Sequence, residues 1–178
     1  ETWLEMTRQH YASSNWSDCL IAAEQSIRLD PSNAEVHLMR ASAFMALRQF
    51  PEAAASAQKV VVLAPDNAEV RIFHARCLMA LKQFGDAIPS AQAAVQLAPN
   101  WAESHLILGA CLKRADRVDE SEAPLSSAIK LNPNAYEALN DLADIHIARG
   151  DAASAVDCLR RSHEIKPFNL DAMSGLCF

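Results

Sequence analysis

The stretch Leu29-Asp30-Pro31-Ser32-Asn33-Ala34-Glu35 recurs along the chain, and its recurrence decides the fold. Its proline returns as Pro65, Pro99, Pro133 and Pro167, each 34 residues after the one before. A fixed period of this size without insertions is typical of stacked repeats rather than of one closed domain. The sequence therefore predicts an array of similar units.

Two columns of small residues show what each unit contains. Twenty-four residues before each proline stand Thr7, Ala41, Ala75, Gly109 and Ala143. Twelve residues before each proline stand Cys19, Ala53, Ala87, Ser121 and Ala155. Two small columns embedded in a helical apolar pattern indicate two helices whose backbones approach closely. Each unit is therefore predicted to be a pair of helices, and the chain to be all-α.

The units are predicted to cover approximately 1–33, 34–67, 68–101, 102–135 and 136–169 of a single solenoid over residues 1–178. A partial or capping helix is expected over 170–178. Each second helix should stop just before its closing proline, because proline lacks a backbone donor and disfavours the helical conformation in the residue before it. Asparagines after these prolines are expected to cap the next helix.

Four glutamates fit the predicted helix starts, whereas two further prolines fall inside predicted helices. A ladder of carboxylates falls in the first turn of the first helices, where the helix dipole favours negative charge; its members are Glu35, Glu69, Glu103 and Glu137. Pro89 and Pro124 lie inside predicted second helices. Either Asp86 and Ser121 act as late N-caps, so that both prolines fall in a first turn, or these two helices kink.

Composition excludes several classes of function. The 178 residues carry a net charge of −6, which disfavours a sequence-independent grip on nucleic acid. No apolar run approaches the roughly 20 residues that a membrane-spanning helix needs, so no direct membrane insertion is expected. The five cysteines lack any C-x-x-C spacing, which argues against a zinc site or a disulfide framework. A reducing, cytoplasmic compartment is expected, with the periplasm left open because the chain reads as part of a longer protein.

The sequence contains no recognisable catalytic constellation. No glycine-flanked serine, glycine-rich phosphate loop or metal-ligating histidine spacing occurs, and the four glycines are scattered. No catalytic residue, metal or cofactor is therefore predicted. Buried packing is the expected role of Cys77 and Cys111.

The 34-residue helix pair, the small and bulky columns and the closing Leu-x-Pro resemble the tetratricopeptide repeat. Five tandem copies carry this resemblance over essentially the whole chain. The aromatic residue and leucine that the family has early in each first helix appear as Trp3 and Met6 in the first unit. They are replaced by His37 and Arg40 in the second unit, and by Arg71 and His74 in the third.

The resemblance implies an α-α superhelix whose first helices line a concave, peptide-binding groove. By that mapping the groove residues are Leu38, Ser42, Met45, Ile72, Arg76, Met79, Leu106, Lys113, Arg114, Asn140 and Asp144. Aliphatic residues and methionines would make the middle of the groove apolar and adaptable. The expected ligand is a protein or peptide with apolar anchors and mixed charge.

Three functions stay open at this point. The first is a non-catalytic scaffold that binds a peptide or helical segment in the groove. The second is the accessory or substrate-docking domain of a larger enzyme, such as a bacterial glycosyl- or sulfotransferase. The third is a self-assembling scaffold, a homo-oligomer formed through terminal helices, because Leu170, Met173, Leu176 and Phe178 would give the last helix an uncovered apolar face.

Overall fold

A computed structural model describes residues 2–167, and these residues form five pairs of α-helices without a strand. In chain order the helices are α1 (Trp3–Ala12), α2 (Trp16–Leu29), α3 (Ala34–Ala46), α4 (Phe50–Leu63), α5 (Ala68–Ala80), α6 (Phe84–Leu97), α7 (Ala102–Arg114), α8 (Val118–Leu131), α9 (Tyr136–Ala148) and α10 (Ala152–Ile165). The predicted all-α repeat of helix pairs is confirmed. The helix predicted over 170–178, with its four apolar residues, lies outside the described residues.

The chain divides into two compact units, one ending at Ser90 and the other starting at Ala91. The first unit holds α1 to α5 and the beginning of α6, and the second holds the rest of α6 and α7 to α10. In the first unit α1 packs on α2 and α3 on α4, and in the second α7 packs on α8 and α9 on α10. Second helices also pack on the first helix that follows them, as α2 does on α3 and α8 on α9.

The small columns lie where the paired helices meet. Ala41 and Ala53 are fully buried in one cluster of the first unit. In the second unit Gly109 faces Leu125, and a Cβ atom added to the glycine would lie 2.6 Å from the leucine Cγ. Removing side-chain volume from one helix thus lets the other approach, as the two columns predict.

The turn within each helix pair is closed in the same way in all five described pairs. One residue has a left-handed backbone: Ser14 at φ 56°, Arg48 at 60°, Lys82 at 59°, Asp116 at 62° and Gly150 at 76°. Two main-chain hydrogen bonds flank it; in the first pair the Asn15 amide donates to the His10 carbonyl at 2.9 Å and the Ser14 amide to the Tyr11 carbonyl at 3.1 Å. This arrangement is the Schellman motif, which ends one helix and sets the start of the next.

The turn between successive pairs uses the residues that replace the family's early aromatic. His37 Nε2 donates to the Pro31 carbonyl at 2.9 Å, and His105 Nε2 donates to the Pro99 carbonyl at 2.8 Å. Arg71 makes the equivalent bonds to the carbonyl of Pro65, at 3.1 and 3.2 Å. A polar side chain at this position therefore ties the closing proline to the following helix, which explains the departure from the family pattern.

Pro89 and Pro124 both lie inside second helices. Helix α6 begins at Phe84 and helix α8 at Val118, so both prolines lie in the helix interior. Of the two alternatives, late N-caps at Asp86 and Ser121 do not form, because the Schellman turn of each pair fixes the helix start several residues earlier. Ser121 instead donates its hydroxyl to the Val118 carbonyl at 2.6 Å.

The expected asparagine caps form in only part of the array. Asn33 accepts from the Val36 amide at 3.2 Å, and Asn67 from the Val70 amide at 3.1 Å. The N-cap of α7 is Trp101, whose side chain makes no capping bond, and α9 begins after Ala135. None of the helices in residues 2–167 is long and apolar enough to cross a membrane.

Candidate functional site

In the first unit the predicted groove residues lie on α3 and α5. Leu38 is half-buried beside the cluster of Val60, Val61 and Val70. Met45 is half-buried against the cluster that contains Ala41 and Ala53, and Ser42 is also half-buried. These side chains therefore have one side on the core and another side open to a ligand.

The α5 residues differ in what they offer. Ile72 is only 4% exposed, so its side chain belongs almost wholly to the interior. Arg76 is exposed and Met79 is half-buried. The accessible surface of this part of the unit is therefore made by Met79 and Arg76 rather than by the isoleucine.

A bidentate ion pair joins α1 to α3 in the first unit. Arg8 of α1 donates its Nε to Glu35 Oε1 at 2.7 Å and its Nη2 to Oε2 at 2.6 Å. The hydrogen bonds from Arg8 hold the pKa of the Glu35 carboxyl below its ordinary value, whereas partial burial opposes that shift. Both side chains are about half exposed, so the pair contributes little to stability. It does fix the position of both charges, and Glu35 links two repeats besides complementing the helix dipole.

In the second unit the predicted groove residues lie on α7 and α9. Leu106 is half-buried and packs on the cluster of Leu125 and Leu139, and Arg114 is exposed. Lys113 donates to Asp141 at 2.6 Å and also to Asp144. The three side chains form a cluster with a net charge of −1, so the lysine is already neutralised by carboxylates of the next repeat.

Asn140 lies on the same helix as these carboxylates. Its Oδ1 is buried and accepts no hydrogen bond within the described part of the chain. Asp144 stays 63% exposed, so it is the member of the cluster that a ligand can reach. This surface is acceptor-rich, whereas the first unit presents apolar side chains and Arg76. The sequence predicted mixed charge but could not show this separation.

Sequence reasoning missed a cavity in the first unit, and none of the predicted groove residues lines it. It has a volume of about 460 Å³ and lies between α2, α3 and α4, with Arg40, Glu52 and Lys59 in its wall. The signal was present in the sequence, since Arg40 and its neighbour His37 stand where the family has a leucine and an aromatic residue.

None of the four described cysteines lines this cavity. Cys19, Cys77, Cys111 and Cys158 are free and buried. Burial raises the pKa of Cys77 and of Cys111 to about 12, so both are protonated at neutral pH and poor nucleophiles. Within residues 2–167 no group of three or more potential ligands is arranged to hold a metal ion.

Comparison with known proteins agrees with the repeated turns and columns. A sequence model of the tetratricopeptide repeat family matches residues 8–68, 38–104 and 112–169. The chain is a tetratricopeptide repeat protein. No curated protein is similar enough in sequence to count as a relative.

Solved structures of tetratricopeptide repeat proteins share the fold. YrrB, described as a protein with an unusual peptide-binding site, superposes with a TM-score of 0.86 at 18% identity, over 99% of this chain and 91% of YrrB. MamA from Desulfovibrio magneticus gives a TM-score of 0.86 at 18% identity over 93% of each chain. A thermophilic repeat protein from Thermus thermophilus gives 0.72 at 20% identity, over 99% of this chain and 98% of that one. At these identities the likeness shows the fold alone, that of an α-α repeat solenoid.

Proposed function

We propose that this tetratricopeptide repeat protein is a non-catalytic scaffold whose first helices bind a helical or extended peptide. The observation that carries the proposal is the half-buried row of Leu38, Met45 and Met79 on the first helices of the first unit. Side chains that are anchored in the core on one side and accessible on the other form a surface that a peptide can cover. Methionine adapts its shape to varied apolar partners, and an apolar helix face fits such a surface.

Charge sets the orientation of the bound peptide. Arg76 on α5 adds a positive charge next to the apolar anchors in the first unit. In the second unit, Asp144 beside Lys113 and Asp141 favours a basic residue. Leu106, Arg114 and Asn140 complete the predicted surface there. A partner that contacts either unit therefore carries apolar anchors beside a residue whose charge is opposite to that of the unit.

A peptide-display selection tests this function directly. Peptides selected against the wild-type protein are expected to lose about thirtyfold in affinity for a Met45→Gln, Met79→Gln variant, because two apolar contacts of roughly 1 kcal/mol each are exchanged for polar ones. Glutamine keeps the length and helix propensity of methionine, so the helices are retained. Val62 is 67% exposed on α4, and Val62→Gln is the matched control. Equal binding by the groove variant and the control variant would refute the proposal.

A further inference from the structure

The cavity of about 460 Å³ in the first unit has the size of a ligand pocket. Ile27 of α2 and Ala55 of α4 contribute apolar surface to its wall, and Arg40, Glu52 and Lys59 contribute charge. These side chains come from three helices that pack on one another, so the scaffold restricts their positions. Since no predicted groove residue lines the cavity, it is separate from the surface proposed above to bind a peptide.

The charged groups of the wall are not paired with one another. Within the described residues the side chains of Arg40, Glu52 and Lys59 form no hydrogen bond or ion pair. The Arg40 guanidinium lies over the Phe44 ring, 5.3 Å from its centroid, which orients it without using its N–H donors. The cavity therefore offers both hydrogen-bond donors and an acceptor to a ligand.

His37 adds a second acceptor. The residue lines the cavity and is only 6% exposed. Its Nε2 donates to the Pro31 carbonyl at 2.9 Å, so Nδ1 of the neutral ring carries a lone pair. Nδ1 is buried and has no partner within residues 2–167. Buried polar atoms in native proteins are rarely left without a hydrogen bond, so this atom indicates a donor from outside the chain.

The third repeat shows the same positions with their polar groups satisfied internally. The counterparts of Arg40 and Ser56 are His74 and Ser90, one period further along. His74 Nδ1 and Ser90 Oγ are 2.8 Å apart and form a buried hydrogen bond. Within the described part of the chain Ser56 has no such partner, so its hydroxyl is also available in the wall of the cavity.

We infer that this cavity binds the primary carboxamide group of a partner peptide, as carried by a glutamine or asparagine side chain. A carboxamide holds two N–H donors and one carbonyl acceptor on a single planar group. Its N–H groups can donate to His37 Nδ1 and to the Glu52 carboxylate. Its carbonyl can accept from Arg40 or Lys59, and its methylene stem can lie on the apolar part of the wall. Because Nδ1 is covered in the structure, we expect the His37 ring to turn slightly as the amide binds.

Other side-chain groups fit this wall less well. A carboxylate has no proton to donate to His37 Nδ1 and would be repelled by Glu52. An ammonium or guanidinium group has no acceptor for Arg40 or Lys59, and these two cations with Glu52 already give the wall a net charge of +1. An apolar group would desolvate the polar groups without pairing them, which is costly. A neutral group with both donors and an acceptor avoids all three costs.

Four probes with the same main chain test the inference in ¹⁵N-labelled protein at neutral pH. They are the N-acetyl methylamides of glutamine, asparagine, glutamate and methionine. Because every probe has the same main-chain amides, a difference between them reports the side chain. We expect saturable shifts of the Ser56 and Lys59 amides with glutamine or asparagine, about fivefold weaker binding of glutamate, and no binding of methionine. The ¹⁵N resonance of His37 Nδ1 should also move, because the atom gains a hydrogen bond.

Variants assign the shifts to this cavity. Arg40→Met keeps an unbranched side chain but removes the N–H donors, so it should weaken the carboxamide probes by about fivefold. His37→Phe removes the Nδ1 acceptor and keeps an aromatic ring, so it should remove most of the preference for glutamine over glutamate. Arg28→Gln removes an exposed arginine that pairs with Glu24 on α2; it is the matched control and should have no effect.

The groove variant Met45→Gln, Met79→Gln should bind the carboxamide probes as the wild type does. A failure at this cavity is thereby distinguishable from a failure of the proposed peptide groove. If His37→Phe does not fold, Arg40→Met and the comparison of the probes still decide. Absence of saturable shifts with both carboxamide probes, equal or tighter binding of the glutamate or methionine probe, or equal affinities in Arg40→Met and the control would overturn the inference.

Discussion

The contact between Gly109 and Leu125 supports a quantitative prediction about the core of the second unit. In Gly109→Ala the new Cβ would lie 2.6 Å from the Leu125 Cγ and 2.7 Å from its Cδ2. Carbon atoms pack at about 3.5–4.0 Å, so the leucine must move by about 1 Å. Leu125 is fully buried among Ala128, Leu139 and Leu142, which leaves it little space to do so.

The size of the effect follows from two opposing terms. Overpacking of this kind costs about 1–3 kcal/mol, whereas alanine is favoured over glycine inside a helix by about 1 kcal/mol. We expect Gly109→Ala to lower the free energy of unfolding by about 1 kcal/mol. Leu125→Ala alone should cost about 2–5 kcal/mol, but it should cost about 1–3 kcal/mol less when alanine is already present at 109. The buried pair Ala41 and Ala57 in the second repeat shows that two alanines fit at these positions.

Urea unfolding followed by circular dichroism at 222 nm measures the four proteins of this cycle. Gly85→Ala is the matched control, because a Cβ added at Gly85 meets no atom within 4 Å. It should be neutral or slightly stabilising. Additive losses for Gly109→Ala and Leu125→Ala, or a stability of Gly109→Ala equal to that of the control, would refute the reasoning.

Three further predictions concern the turns, the thiols and one buried histidine. Lys82→Gly should stabilise the protein by about 0.5–1 kcal/mol, because Lys82 has a left-handed backbone, and Gly150→Ala should destabilise it by about 1 kcal/mol for the same reason. Urea unfolding measures both changes, and a loss of stability in Lys82→Gly would contradict the strain argument. Cys77 and Cys111 should resist iodoacetamide at pH 8 in the native protein and react in the unfolded protein, because burial raises the pKa of each thiol to about 12. Mass spectrometry of the peptides measures the labelling, and equal labelling of the native and unfolded protein would disprove the prediction. Burial lowers the pKa of His74 below its unfolded value of about 6.5, so the free energy of unfolding should fall as the pH drops through 6.5. His74→Gln should lose less stability than the wild type between pH 7.5 and 5.5 in urea unfolding. Parallel plots of stability against pH for the two proteins would contradict this prediction.

The sequence predicts the repeat and the fold because both depend on local chemistry. The period of the closing prolines, with Pro31 as its first member, gives the spacing of the units. The small columns, such as Ala41 with Ala53, give the contact between paired helices. Each of these signals acts within one repeat and is seen five times, so a single unusual residue does not mislead.

The starts of α6 and α8 could not be predicted because two local rules compete. Proline at 89 or 124 favours a late start, whereas the left-handed residue at Lys82 or Asp116 favours an early one. No glycine marks the turn in these two repeats, so the stronger of the two signals is hidden in the sequence. Hydrogen bonding of the turn decides the outcome.

The exposure and charge of the predicted groove residues were harder to predict than the fold, because they depend on partners distant in sequence. Lys113 is neutralised by Asp141 and Asp144, which lie in the next repeat. Ile72 looks equivalent to Leu38 by spacing but is buried, because its exposure depends on neighbouring side chains. Periodicity assigns residues to a helix face, and packing decides which of them remain accessible.

The identical turns within the five pairs also bear on how such an array can change length. Each is closed by two main-chain hydrogen bonds around one left-handed residue, and Ser14, Arg48, Lys82 and Asp116 all serve there. Since several different side chains are tolerated at this position, a gene segment of one period can be duplicated or deleted without a new loop having to arise. Recombination between repeats would then exchange the surface residues of the first helices while leaving the turns intact, so diversification of that surface need not disturb folding.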